Sequence, residues 1–189
     1  MIPRKMMFEE DEGKIYDHFY NDIVGDDRYL RFGMVASDDY LQNYLIKSYE
    51  NFGTENMWFI AENGGKVVGT VHVNIDDKGT AEMGFTVSPG FRGAGIAQNL
   101  FYRGSTWAAM KGAKTIFTHC LSQNKVMQHI AKKNGMSIIT LDASEKEASI
   151  KVTKGSLTSY YVDATMDHIA FVDHAVMNQQ SLVSKYMRL

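Results

Sequence analysis

The segment from Val87 to Ala97 combines residue types that together bind anions. A proline-glycine turn follows an expected strand, and Arg92, Gly93 and Gly95 then precede a helical stretch. Glycines let the backbone approach a ligand closely and adopt positive φ angles. The first N–H groups of a helix have no partner within the helix, and the positive end of its dipole lies behind them. Because Arg92 adds a forked, charge-assisted contact, the segment predicts a phosphate or pyrophosphate site.

Two common phosphate-binding motifs do not fit this segment. A nucleoside-triphosphate P-loop needs Lys-Ser or Lys-Thr after its glycines, and neither follows here. A dinucleotide-binding turn needs a third glycine where Gln98 stands. It also needs an acidic residue at the end of the next strand, which Thr115 to Leu121 lacks. Both interpretations are therefore set aside.

The segment resembles the acyl-CoA loop of the GNAT acyltransferase superfamily, whose pattern is Arg/Gln-x-x-Gly-x-Gly/Ala between a strand and a long helix. Arg92 to Ala97 fits every specified position. Thr80 to Val87 is similar to that family's fourth strand, and Thr115 to Leu121 is similar to its fifth. Asn124 to Met136 resembles the asparagine-led helix that follows. The resemblance covers residues 5–155 and joins three segments in the family's order.

The resemblance implies an α/β (α+β) fold, with a mixed, mostly antiparallel sheet of six to seven strands flanked by helices. It implies a 1–155 acyl-CoA-binding domain, followed by a 156–189 helical extension. The implied reaction transfers an acetyl group from acetyl-CoA (coenzyme A) to an amine by direct attack in a ternary complex, without a metal. The cofactor contacts that it implies are Phe85, Val87, Arg92, Gly93, Ala94, Gly95, Ile96, Ala97 and Asn124. For Asn124, a helix N-cap is the structural alternative.

Two residues are candidates for the general base that such a reaction needs. Glu82 lies on the strand that leads into the loop, and strand alternation places it on one face with Gly84 and Thr86. A carboxylate there could act directly or through water. His72, on the preceding strand, is the second candidate because imidazole titrates near neutral pH. Their alternatives are a glutamate satisfied by a neighbouring strand and a histidine that only faces the substrate.

The general acid departs from the family's usual pattern. Many members carry a tyrosine seven positions after the motif asparagine, and that position here is Ala131. Tyr160 or Tyr161 could supply the proton instead. The missing tyrosine keeps a second function open, a non-catalytic acyl-CoA binding or sensing module. Cys120 as an acyl-carrying nucleophile is the weaker idea, because a lone strand cysteine is usually a small buried apolar residue.

Composition bounds the remaining choices. The 189 residues carry a formal net charge of −2, so no general attraction to nucleic acid is expected. Cys120 is the single cysteine, and the N-terminus has no signal-peptide pattern, so a cytoplasmic location is expected. No apolar run is long enough for a membrane span, and the six histidines form no metal-ligand spacing. The expected partner is a small-molecule or peptide amine.

The charge of that acceptor stays open. Acidic residues near the expected substrate side would favour a cationic amine, whereas Arg28 and Arg31 would favour an anionic group. The acidic residues in question are Asp26, Asp27, Asp38 and Asp39.

The pattern of elements predicts three antiparallel strands leading into the loop. They are expected at Met57 to Glu62, Lys66 to Asn74 and from Thr80, after helices at Ile15 to Ile23 and from Asp38. A first strand is expected at Lys5 to Phe8, further strands at Met136 to Leu141 and Ser149 to Val152, and a loop at Asp142 to Glu147.

From Thr165 onward, apolar and amide side chains recur at three- and four-residue steps, which predicts one face of a helix. The face comprises Ile169, Val172, Val176, Gln179, Val183 and Tyr186. This helix either docks on its own domain or forms a homodimer contact.

Overall fold

The computed structural model describes residues 1–153, 155 and 157–186 and contains one seven-stranded sheet. The strands are β1 (Arg4–Lys5), β2 (Asn56–Asn63), β3 (Lys66–Ile75), β4 (Thr80–Val87), β5 (Thr115–Leu121), β6 (Ser137–Thr140) and β7 (Glu145–Lys151). Their order across the sheet is β1-β2-β3-β4-β5-β7-β6. Every neighbouring pair is antiparallel except β4 and β5, which run parallel. The predicted fold class is therefore confirmed.

Helices cover both faces of the sheet. They are α1 (Phe8–Asp17), α2 (Asp26–Phe32), α3 (Asp38–Ser48), α4 (Ile96–Met110), α5 (Lys125–Lys133) and α6 (Leu157–Tyr186). A π-helical turn at His18–Asp22 continues α1, and a 3-10 turn at Pro89–Phe91 follows β4. None of the helices in the described ranges is both long and apolar enough to cross a membrane.

The sheet separates two apolar cores. One core packs α4 against the central strands, with Leu100 and Trp107 buried against Val71 and Met83. The other packs α1 and α3 on the opposite face, with Ile15 and Leu41 buried near Trp58. Burying apolar side chains on both faces fixes the sheet between two helical layers.

The sheet opens at its centre. The parallel ladder between β4 and β5 joins only Thr80 to Thr115, Ala81 to Ile116 and Glu82 to Phe117. Beyond Glu82, β4 continues to Val87 while pairing with β3 alone. The two strands therefore diverge into a cleft that faces the loop before α4.

Several element boundaries differ from the sequence prediction. The first helix begins at Phe8 rather than Ile15, because Asp11 accepts a hydrogen bond from the backbone N–H of Met7 and pairs with the buried Arg4. The Lys5 to Phe8 strand shrinks accordingly to β1. Part of the expected acidic loop, Glu145 to Glu147, lies in β7, where cross-strand pairing outweighs the local charge.

The C-terminal helix docks on the domain through a different face from the predicted one. Asp163, Ala170 and His174 are buried against the domain, and Asp163 forms ion pairs with Arg103 and Lys5. The predicted face instead points outward, since Ile169, Val172, Val176 and Gln179 are exposed. The side chains of Val183 and Tyr186 lie outside the described residues. The face of α6 that docks is the one that carries buried ion pairs. The spacing of apolar residues along the sequence gives no sign of such pairs.

Candidate functional site

The loop before α4 presents a row of unpaired backbone donors. The N–H groups of Gly93, Ala94, Gly95, Ile96, Ala97 and Gln98 bond to no acceptor in the described part of the chain. Gly93 and Gly95 have φ angles of 79° and 77°, in the left-handed region that a side chain disfavours. The two glycines let consecutive N–H groups turn outward at the start of α4, where the helix dipole favours an anion.

The cleft between β4 and β5 adds two further donors. The N–H of Ser88, just after β4, donates to the carbonyl of Val68 on β3. Val87 and Phe85 lie an odd number of residues before Ser88, so their N–H groups point in the opposite direction. In an antiparallel ladder, alternate N–H groups point away from the partner strand. The N–H groups of Phe85 and Val87 therefore face the opened side of the sheet, where β5 no longer pairs with β4.

Arg92 lies at the entrance to this row of donors. Its guanidinium forms an ion pair with Asp27 at 2.6 Å, and its Nε donates to the carbonyl of Val87 at 3.3 Å. The arginine is half-exposed, so an anion could replace Asp27 as its partner. Lys133 and His129 line the same cavity, which has a volume of about 400 Å³. The cavity therefore combines a cationic rim with backbone donors.

The position of Asn124 is compatible with both a helix N-cap and a contact to a ligand. Its Oδ1 accepts a hydrogen bond from the backbone N–H of Met127 at 3.0 Å, which makes it the N-cap of α5. Its amide nitrogen has no hydrogen-bond partner among the described residues. Asn124 also lines both cavities of the site. The cap thus fixes the side chain and leaves its Nδ2 donors available to a ligand.

A second cavity lies on the other side of the cleft. It has a volume of about 520 Å³ and lies between α2, α3 and the strands β3, β4 and β5. The two cavities meet at Leu30, Arg31, Phe85, Asn124 and Met127, which line both. A ligand in the first cavity would therefore meet a ligand in the second near the middle of β4.

Glu82 lines the second cavity and is exposed to solvent. It lies opposite Asn74 in the register and makes no hydrogen bond or ion pair with any described residue. Its carboxylate is therefore free to accept a hydrogen bond from water or from an amine. The alternative, a glutamate satisfied by the neighbouring strand, receives no support from these contacts.

His72 lies in the same cavity but uses both of its ring nitrogens. Nε2 lies 2.9 Å from Asn56 Oδ1, and Nδ1 lies 3.1 Å from the hydroxyl of Tyr44. Burial, aided by the nearby charge of Arg31, lowers the pKa of His72 to about 3. The imidazole is therefore neutral near pH 7, donating to Asn56 and accepting from Tyr44.

No tyrosine occupies the position that the family pattern suggests for a general acid. Ala131 lies on α5 and is fully buried in the core. Tyr161 is 74% exposed and lines neither cavity, so the expectation that it enters the site is wrong. The side chain of Tyr160 lies outside the described residues. In the larger cavity, Tyr44 already uses its hydroxyl within the protein, and burial raises its pKa.

Two other expectations concern cysteine and metals. Cys120 lies in the wall of the larger cavity, and burial raises the pKa of its thiol, which opposes a nucleophilic thiolate. His119 lines that cavity too. Within the described ranges, no cluster of histidine, cysteine, aspartate or glutamate side chains could hold a metal ion.

Helix α2 and the role of Tyr44 have no counterpart among the features predicted from the sequence. Helix α2 begins with Asp26 and Asp27 after Gly25 and ends at Gly33, whose φ is 72°. Acidic residues in the first turn and a glycine just after the last turn are helix signals that could have located it. Tyr44 gave no comparable signal, because only packing brings α3 over β3.

Comparison with solved structures supports the fold. The GNAT domain of PAT from S. lividans shares 18% identity and a TM-score of 0.66, over 79% of this chain and 89% of that one. PaiA N-acetyltransferase from Thermoplasma acidophilum, solved with coenzyme A, shares 18% identity and a TM-score of 0.61, over 79% and 98% of the two chains. Spermidine N-acetyltransferase from Vibrio cholerae, solved with CoA and spermine, shares 18% identity and a TM-score of 0.61, over 80% and 95%.

Comparison of the sequence with curated proteins and with family models gives two different results. None of the curated proteins compared with the chain is similar enough to match. The model of the acetyltransferase (GNAT) family, however, matches residues 18–136. This range contains the loop, the cleft and Glu82, and it spans more than half of the 189 residues. The chain therefore belongs to the GNAT family of acetyltransferases.

Proposed function

We propose that this protein is an N-acetyltransferase that uses acetyl-CoA and transfers the acetyl group directly to an amine in a ternary complex. The observation that carries the proposal is the set of free backbone donors in two groups on β4 and in the loop that follows it. One group is the N–H groups of Phe85 and Val87 in the cleft, and the other is the six N–H groups between Gly93 and Gln98. An extended amide-containing chain that ends in a pyrophosphate matches this arrangement, and coenzyme A has that shape.

The cofactor's parts find matching groups in this arrangement. The pyrophosphate would take the N–H groups before α4, with Arg92 exchanging Asp27 for a phosphate oxygen. The pantetheine arm would pair with β4 as a short strand and receive a donor from Asn124. The thioester would then lie where the two cavities meet, and a β4 N–H near Phe85 would stabilise the oxyanion that forms on attack.

The acceptor amine would occupy the larger cavity beside Glu82. An ammonium group must lose a proton before its nitrogen can attack, and the free carboxylate of Glu82 is placed to accept it directly or through water. The neutral nitrogen then forms the new bond to the thioester carbon and gives up its second proton to water. The carbon–sulfur bond breaks, and the sulfur leaves as thiolate. With Ala131 in place of the usual tyrosine, the thiolate takes its proton from water.

His72 suits a positioning role better than proton transfer from the substrate. Its neutral ring holds the hydroxyl of Tyr44 on one side and the amide of Asn56 on the other. This arrangement fixes the part of the cavity wall that β3 forms beside the strand carrying Glu82. A histidine with both nitrogens occupied has no free atom for the amine.

The deciding experiment measures thiol release from acetyl-CoA in the presence of a panel of amines. We expect acetyl-CoA to bind, to raise the melting temperature, and to release thiol faster with at least one amine than with water. If acetyl-CoA does not raise the melting temperature at saturation, the proposed cofactor is wrong.

The missing tyrosine favours one alternative, a non-catalytic acyl-CoA binding module. Both functions predict cofactor binding, so only turnover separates them. Tight binding of acetyl-CoA with no release of thiol across the amine panel would support the binding module instead.

The outer face of α6 supports a homodimer proposal. Ile169, Phe171, Val172 and Val176 are exposed by 43%, 59%, 48% and 47%, which leaves an apolar surface on a helix that already docks by its other face. We expect light scattering to give the mass of a dimer and Val172→Glu to give that of a monomer. A monomeric mass for the unmodified protein would contradict this proposal.

A further inference from the structure

Arg31 stands out among the arginines in the described part of the chain because it forms no ion pair with a carboxylate. Arg4, Arg28, Arg92 and Arg103 each form an ion pair with an aspartate. Of the five arginines that the structure describes, Arg31 alone forms none. Its Nε is buried and has no hydrogen-bond partner. A partly dehydrated cation without a counter-ion is costly, so this arrangement needs a compensating feature or a ligand.

The protein holds the Arg31 guanidinium in one place. One terminal nitrogen donates to the Tyr44 hydroxyl at 2.6 Å. The guanidinium carbon lies 4.8 Å from the ring centre of Phe32 and 5.3 Å from that of Tyr44, so two aromatic rings flank the charge. The Tyr44 hydroxyl is oriented in turn by His72. A chain of contacts through three side chains therefore fixes the arginine.

The sheet beneath Arg31 is shaped to receive it. A Cβ added to Gly84 would overlap the guanidinium carbon and both terminal nitrogens of Arg31. Only glycine at this position of β4 lets the guanidinium lie against the strand. Aromatic flanks, an oriented hydroxyl and a glycine seat together make a prepared binding group rather than a surface arginine.

The position of Arg31 relates its charge to the proposed reaction. Arg31 lines both cavities and so lies where the thioester and the acceptor would meet. Glu82 and Glu145 line only the larger cavity. None of the four acidic residues that would favour a cationic acceptor lines that cavity. Two of them are already paired, Asp27 with Arg92 and Asp38 with Arg28. The larger cavity thus presents a fixed cation and free carboxylates to a single small molecule.

We propose that the acceptor is a small amine that also carries a carboxylate, with the carboxylate bound by Arg31 and the amine beside Glu82. A planar carboxylate matches the two-pronged donors of a guanidinium. The ammonium group of such a molecule is attracted to the carboxylates of Glu82 and Glu145, which line the same cavity. The volume of about 520 Å³ suits a molecule of amino-acid size. This assignment rests on the proposed acetyltransferase function.

Matched acceptors test the assignment without altering the protein. Thiol release from acetyl-CoA is measured with amino acids, with their carboxamides and with the corresponding amines that lack the carboxylate, such as tyrosine, tyrosinamide and tyramine. We expect the best free acid to exceed its amide in kcat/KM by at least about tenfold, because the amide leaves the Arg31 charge unpaired. Equal or better turnover of the neutral partners would overturn the assignment.

Variants locate the effect. Arg31→Gln is expected to raise KM for the acid about 10- to 100-fold and to change KM for its amide much less. Arg28→Gln is the matched control on the same helix, because Arg28 pairs with Asp38 and lines neither cavity. In Arg28→Gln, the ratio of kcat/KM for the acid to kcat/KM for its amide should stay as in the unmodified protein. An equal loss of turnover on acids and amides in Arg31→Gln would contradict carboxylate recognition.

Calorimetric measurement of acceptor binding distinguishes a failure of the carboxylate assignment from a failure of the proposed acetyltransferase function. If no amine releases thiol, the acetyltransferase function fails, and binding of the same acids and amides to the CoA-loaded protein decides the role of Arg31. Binding of acids but not amides, abolished by Arg31→Gln, would support a carboxylate site. Absence of that difference would overturn it.

Discussion

At the scale of residues, two ionisable side chains in one cavity have opposite environments. Glu82 is exposed and free of hydrogen bonds within the described residues, whereas His72 is bonded at both nitrogens and held neutral. The sequence ranked them as first and second candidates for the base. Their surroundings favour the same order, because a proton acceptor needs an unoccupied atom.

Replacing Glu82 by Gln tests the proposed base. We expect kcat to fall by about 10²- to 10⁴-fold, while the dissociation constant for acetyl-CoA stays the same, because the amide keeps the shape but cannot take a proton. Steady-state kinetics and calorimetry give the two quantities. Glu12→Gln, an exposed substitution on α1, is the control, and an undiminished kcat in Glu82→Gln would remove Glu82 from the mechanism.

Two histidines make stability depend on pH. Burial lowers the pKa of His18 to about 4, against the opposing charge of Asp22, and that of His72 to about 3. Both folded-state pKa values lie below the unfolded value of 6.5, so the unfolded chain binds more protons as the pH falls from about 6.5 towards 4. Each histidine then lowers the free energy of unfolding by up to about 1.4 kcal/mol per pH unit.

Urea denaturation at several pH values between about 7 and 4.5 checks this sign. We expect His18→Gln to flatten the dependence and the exposed His168→Gln to leave it unchanged. Stability that is constant over this range in the unmodified protein would show that neither histidine is held neutral.

At the scale of elements, the decisive feature is the early end of the parallel ladder between β4 and β5. Pairing stops at Glu82 and Phe117, and the remaining part of β4 turns its free donors towards the loop before α4. The strand and the loop form one continuous surface, because β4 ends in the turn that leads to α4. A cofactor bound there would complete the interrupted sheet.

Gly95 and Gly90 offer a matched test of the loop. Neither position has a heavy atom within 4 Å of an added Cβ, but only Gly95 has a positive φ, at 77°. We therefore expect Gly95→Ala to lose about 1–2 kcal/mol of stability and to bind acetyl-CoA more weakly, since the donors shift with the backbone. Calorimetry should show unchanged binding for Gly90→Ala, and equal effects in both variants would contradict a role for the left-handed conformation.

At the scale of the whole molecule, charges hold the last helix. Arg103 and Asp163 are both almost fully buried between α4 and α6. Arg103 and Lys5 on β1 each form ion pairs with Asp163 and with Asp167 of α6. Removing one member of a buried ion pair leaves an uncompensated charge. The helix is therefore an integral part of the described structure rather than an appended segment.

Asp163→Asn measures that attachment. We expect a loss of about 3 kcal/mol or more in the free energy of unfolding, because the buried Arg103 loses its buried partner and Lys5 loses one of its two. The control is Asp38→Asn, whose carboxylate is 68% exposed and pairs with Arg28, with an expected loss of at most about 1 kcal/mol. Similar losses in the two variants would mean that α6 is held by something other than this cluster.

Local sequence patterns predict the glycine-containing loop, the three strands that lead into it and the place of Glu82 on the last of them. Each depends on local features: glycines before a helix, alternation along a strand, and turns between strands. Tertiary structure alone decided the opening between β4 and β5, the unpaired charge of Arg31 and the docking face of α6. Those features depend on which side chains meet after distant segments pack, and neither periodicity nor local charge encodes the partners. Ion pairing shows the difference, because Arg28 and Arg31 lie three residues apart on one helix and only the fold gives one of them an aspartate.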